Sequence, residues 1–165
     1  VRSLGADAVF DYNSPTAVAD IRAHTSNKLY YIWDTIGTSF SYDFGAAILK
    51  NVVPPSSQII HYGTILPPPK AGTFSNDVKV TFTLGYSVQG EAFELGPTKF
   101  KAKPEDYEFM VKWLKIAQGL LEEGKWKPHR QEVREGGLEG VLKGLEDMKG
   151  GKVSGVKLVY RIAEP

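Results

Sequence analysis

Short runs of β-branched and aromatic residues alternate along the chain with longer stretches whose apolar positions recur every three to four residues. Parallel strands joined by crossover helices produce that alternation, so the pattern predicts an α/β fold. The first run, Ala8-Val9-Phe10-Asp11-Tyr12, reads as a strand. Ser14 and Pro15 then offer a capping hydroxyl and a residue preset for a first helical turn, and a helix to about Thr25 is expected. Leu29-Tyr30-Tyr31-Ile32-Trp33 is apolar on both faces, as a central parallel strand covered by helices on both sides must be. Phe40, Phe44, Ala47 and Ile48 mark a second helix, stopped by residues 51–55, and a third strand runs from Gln58 to Gly63.

Pro67, Pro68, Pro69, Lys70, Ala71 and Gly72 are expected to form a stiff loop, and the alternation of Val78-Lys79-Val80-Thr81-Phe82 fits an edge strand with one solvated face. Pro104 opens the longest helix, in which Tyr107, Met110, Val111, Leu114, Ala117 and Leu121 make one apolar stripe down to Gly124; a core position is expected for it. A strand over 129–133, a turn at Gly136-Gly137, a helix through Leu138, Val141, Leu142, Leu145 and Met148 stopped by Gly150-Gly151, and a strand over 156–162 follow. There is no internal repeat, and a single domain over 1–165 is expected.

Composition narrows the classes of function. At 165 residues and 42% hydrophobic, the chain can bury the core of one ordinary domain. A net charge of +1 gives no electrostatic reason to expect nucleic acid or an anionic membrane, which leaves a small-molecule or protein partner. No cysteine is present, which excludes disulfides and thiolate metal sites within these residues and favours a cytoplasmic location. His24, His61 and His129 stand far apart without carboxylates at ligand spacing, so no metal site is expected from them. The chain starts at Val1 and its methionines are Met110 and Met148; a lost upstream segment is the expectation, with processing as the alternative.

Three stretches share a further likeness: Leu4-Gly5-Ala6-Asp7 with the following residues to Tyr12; Asp34-Thr35-Ile36-Gly37; and Glu135-Gly136-Gly137-Leu138-Glu139-Gly140-Val141 leading to Gly151-Lys152-Val153-Ser154-Gly155 and the run to Tyr160. Together they resemble the medium-chain dehydrogenase/reductase superfamily, and the closing run is most similar to fungal zinc-independent oxidoreductases, including trans-acting enoyl reductases that serve polyketide synthases. The resemblance implies the later part of an NADP(H)-binding Rossmann domain, a partial doubly wound parallel sheet. It also implies a C-terminal segment that would return to pack on a GroES-like domain not contained in these residues. The glycine-rich phosphate turn would lie upstream.

The resemblance implies site residues as well. Tyr12 would meet the adenosine 2′-phosphate of NADP(H), Tyr62 and Gly63 would lie by the nicotinamide or its ribose, and Val153 and Ser154 would touch the cofactor on the returning chain. Thr83, Leu84, Gly85, Tyr86 and Ser87 would line an apolar acyl pocket. Taken without the family, each has a plainer role: a packing tyrosine, a turn glycine, a loop, a tight turn. Asp34 reads as a cap or turn residue and is assigned no chemistry. The implied activity is hydride transfer from NADPH to an enoyl or carbonyl substrate, such as an acyl thioester; the competing reading is a catalytically silent remnant or interaction module.

Overall fold

Three parallel strands, β1 (Tyr31–Asp34), β2 (Ile60–Thr64) and β3 (Val78–Phe82), lie in the order β1-β2-β3. They belong to a computed structural model that describes residues 1–67 and 71–163, so Pro68, Pro69 and Lys70 of the expected stiff loop lie outside the described residues. The chain divides into two units, Val1–Asp106 and Tyr107–Pro165. The fold is α/β on parallel sheets, as a partial Rossmann-type sheet requires.

In the first unit the register sets Ile32 beside Tyr62 and Tyr62 beside Val80. Strand periodicity puts these three on one face with Ile60 and Val78. That face is covered by α2 (Ser39–Leu49), through Tyr42 and Leu49, together with Val52. Burying each such side chain contributes roughly 1.5–3 kcal/mol. The helix comes close because position 45 is glycine: a Cβ there would stand 3.3 Å from Cδ2 and Cζ of Tyr62. Thr38 and Ser41 cap its start reciprocally, Ser41 N donating to Thr38 Oγ1 at 3.3 Å and Thr38 N to Ser41 Oγ at 2.9 Å.

The sequence pattern and the structure part at several places. Residues 8–12 form no strand. Ala8 and Phe10 line a groove of about 570 Å³ together with Ile32 and Trp33 of β1, so the two runs face a common cleft instead of each other's backbone. The helix α1 (Ala17–His24) starts two residues beyond Pro15, with Thr16 at its N-cap, whose hydroxyl donates to Asp20 at 2.8 Å. Within the described residues β2, not β1, is the middle strand, and only one face of β1 is covered in this unit: Tyr31 and Trp33 are 62% and 56% exposed. β2 also runs one residue past Gly63, to Thr64.

A 3-10 turn over Gly85–Gln89 and a hairpin of β4 (Phe93–Leu95) and β5 (Thr98–Phe100) were not anticipated. Strands of three residues are too short to show a period.

The second unit continues from α3 (Pro104–Glu122) through β6 (Gln131–Arg134), α4 (Gly137–Lys149) and β7 (Lys157–Tyr160), with β6 and β7 parallel. Gly144 lets α4 settle on β7, since a Cβ there would lie 3.0 Å from Cζ of Tyr160 and 3.2 Å from Cδ1 of Leu158. Arg134 Nη1 meets Asp147 Oδ2 at 2.8 Å, tying β6 to α4. The apolar stripe of α3 is not core within this unit: Ala117 is buried, but Tyr107, Leu114 and Leu121 are exposed. Leu138, Leu142, Leu145 and Met148 of α4 are exposed as well, so the stripe of α4 does not cover that of α3.

Candidate functional site at the strand ends

In parallel α/β sheets ligands bind outside the C-terminal ends of the strands. Here those ends are Asp34, Thr64 and Phe82. Asp34 is buried and fully engaged. Its Oδ1 accepts from the backbone of Ile36 (2.8 Å) and Gly37 (3.1 Å), and its Oδ2 from Ser41 Oγ and the Tyr62 hydroxyl, both at 2.7 Å. Burial alone would raise the carboxyl's pKa, but these four donors together outweigh it and hold the group below its ordinary value. For Tyr62, burial and the neighbouring Asp34 carboxylate push the phenol well above its ordinary range. One carboxylate thus fixes the β1–α2 loop, the start of α2 and the middle strand.

The next loop is held with equal economy. Tyr42 donates to Pro67 O at 2.7 Å, and the buried Thr64 hydroxyl sits 3.3 Å from both Leu66 N and Leu66 O. Gly37 has φ 68°, and a Cβ there would lie 2.9 Å from Cγ of Leu66, so a larger residue would push the two loops apart.

The sequence-derived residues fall in different surroundings. Tyr62 is wholly buried, backbone and ring alike, with its hydroxyl on Asp34. The space left by the absent Cβ of Gly63 is taken by the Trp33 indole, whose Cζ3 would lie 2.6 Å from such an atom. Tyr12 is 61% exposed, its ring edge-on to Phe40 at 6.1 Å, and its hydroxyl has no partner among the described residues. Val153, half-buried, and Ser154, exposed, stand in the α4–β7 loop of the second unit.

Residues 83–87 continue directly from β3. Thr83 N bonds to Thr64 O at 2.9 Å, extending the ladder, and Ser87 Oγ donates to Leu84 O at 2.9 Å. Thr83, Leu84 and Ser87 line a cavity of about 270 Å³ with Phe93 and Phe100 of the hairpin; Tyr86 lies outside the lining but 6.0 Å from the Phe93 ring, and Gly85 opens the 3-10 turn. Three of the five expected substrate residues are therefore brought together, and two aromatic walls join them that sequence reasoning had missed. The Gly96-Pro97 turn pair, with Phe93 and Phe100 on either side of it, was the available signal.

No family model matches the chain. It is similar to trans-enoyl reductase ACTTS2 of Alternaria alternata, at 39% identity over 162 residues, 98% of this chain and 44% of that protein. Several curated relatives of the chain are named trans-enoyl reductases. Trans-enoyl reductase apdC of Emericella nidulans is 37% identical over 164 residues, covering 99% of this chain and 47% of the relative. A dual trans-enoyl reductase/FAD-dependent monooxygenase, tazHJ of Aspergillus terreus, is 38% identical over 154 residues, 92% of this chain and 20% of that protein. The chain spans about half the length or less of the curated relatives it matches. No described helix is long and apolar enough to cross a membrane, and among the described residues no three His, Asp or Glu side chains are grouped to hold a metal ion.

Proposed function

We propose that this chain is the later part of an NADPH-dependent enoyl reductase of secondary metabolism, of the medium-chain dehydrogenase/reductase type and zinc-independent, acting on an acyl thioester presented by a polyketide synthase. Its two units would together form the end of one Rossmann domain and the returning C-terminal segment. The observation that carries the reading is a cavity that sets Thr83, Leu84 and Ser87 beside Phe93 and Phe100 at the C-terminal end of a parallel sheet, in a chain whose relatives are named trans-enoyl reductases. The groove at the outer edge of β1 supports it, because further strands would complete the sheet there.

The residues suit a nicotinamide dinucleotide phosphate. The free hydroxyl of Tyr12 would hold the 2′-phosphate, the strand end at Tyr62 and Gly63 would lie by the nicotinamide or its ribose, and Val153 and Ser154 would touch the cofactor. NADPH, when bound, supplies the hydride. The chain's own part is positional: Asp34 and Thr64 hold two strand-end loops rigid, and the cavity orients an apolar acyl group while keeping water away.

The test is to read the coding sequence upstream of Val1 for a strand, glycine-rich turn and helix, then to assay the completed protein with NADPH and an enoyl thioester. Enoyl-dependent NADPH oxidation is expected, and Tyr12→Phe should weaken NADPH by about 1.5–3 kcal/mol, the worth of a hydrogen bond to a charged group, with NADH almost unaffected. Equal losses for both cofactors would make Tyr12 a packing residue, and absence of enoyl-dependent oxidation would sink the reading.

A further inference from the structure

We propose that the slot between residues 83–87 and the β4–β5 hairpin binds an apolar chain carrying an anionic group, with Phe93 and Phe100 holding the chain and Lys101 the charge. The inference rests on the reading of residues 83–87 as substrate-facing and adds the class of ligand they would face. Phe93 and Phe100 are register partners on the hairpin, and their rings stack 4.9 Å apart at 12°. They present a continuous apolar wall to the cavity. At about 270 Å³ that cavity lies just below the usual range for ligand sites, which suits a chain segment better than a fused ring system.

Charge sets the rest. Lys99, Lys101 and Lys103 alternate along one strand and its exit. Lys99 pairs with Glu94 at 2.9 Å and Lys103 with Asp106 at 4.0 Å, whereas Lys101, which lines the slot, has no carboxylate partner among the described residues. Asp106 is the one acid in the lining and Lys103 matches it. The rim is left with one uncompensated cation beside an aromatic wall, the complement of a chain with a single negative group. A fatty acid and a chain borne on a phosphate share that chemistry.

Decanoate, decyl phosphate and decanol, titrated into the chain at low ionic strength and below micelle formation, decide the matter. The two anions should bind tighter than decanol by up to about fivefold, the upper end for an exposed charge pair, and Lys101→Gln should remove that preference without changing the fold. Resonances of the Phe93 and Phe100 rings should shift on binding, a readout that needs no substitution in the hairpin. Tighter decyl phosphate points to a phosphate-borne chain, and tighter decanoate to a free acid. Equal binding of all three ligands with ring shifts overturns the anionic site and leaves residues 83–87 an apolar substrate segment. Failure of any ligand to move the rings overturns both.

Discussion

Trp33 and Gly63 explain one another. They are register partners on neighbouring strands, and the indole lies over the bare backbone of the glycine. Gly63→Ala should therefore destabilise the first unit by about 1–3 kcal/mol, the usual cost of overpacking. In urea unfolding, Trp33→Val combined with Gly63→Ala should lose less than the two single losses added together, since the smaller side chain makes room. Additive losses would show that the contact is not what requires glycine. Sequence reading marked position 63 as a glycine of close approach, and the structure supplies the indole as one neighbour, since a missing Cβ advertises an approach without saying what approaches. Tyr62 was legible only as a strand-end aromatic, since nothing local reveals that its hydroxyl turns inward to a carboxylate 28 residues earlier. Asp34 was seen as a turn residue, which it is through Ile36 and Gly37; its larger part, in joining three elements, depends on tertiary contacts.

At the level of elements, the Asp34 network predicts how the first unit responds to pH. Asp34 titrates in the folded unit below its ordinary 3.8, so its contribution is present above that value and is lost as pH falls through the lower folded pKa. Tyr62 titrates above its ordinary 10.0, so its contribution is present below that value and is lost as pH rises beyond it. Stability should be flat between these limits as far as this pair decides it, and decline on both sides. Asp34→Asn should flatten the acid decline and lower the plateau by about 1–3 kcal/mol, because an amide nitrogen now faces two hydroxyls that had been donating. Denaturant midpoints measured across pH check this; an acid limb of unchanged steepness in Asp34→Asn would assign it to other carboxylates, with Asp147 at the Arg134 ion pair the first to test. The elements themselves were legible where periodicity was long, as in α2, α3 and α4. They were not where strand formation depended on a neighbour, as at residues 8–12, or where a strand was three residues long, as in the hairpin.

Across the molecule, what matters most is which phosphate-binding starts the chain contains. A dinucleotide's pyrophosphate is held at a helix N-terminus preceded by a glycine turn, where free amides and the helix dipole meet it. The start of α2 has its amides partly used, Ser41 N by Thr38 Oγ1 and Tyr42 N by Thr38 O, and α1 follows Thr16 with Asp20 in its first turn. Among the described helices only α4 opens on paired glycines, Gly136 at φ 96° and Gly137 at φ 52°, yet Glu135 precedes them and Glu139 sits in the first turn, so an anion there would meet two carboxylates. The 165-residue chain should therefore show no saturable heat with NADPH into the millimolar range, even though 98% of it is matched by a trans-enoyl reductase. Calorimetric titration of the folded chain, with the denatured chain as control, measures this directly. Tight saturable binding lost on denaturation would mean that one of these helix starts does accept a pyrophosphate. Glu139→Gln would then separate α4 from the others, since removing a first-turn carboxylate should strengthen binding at that helix and leave the other two unchanged.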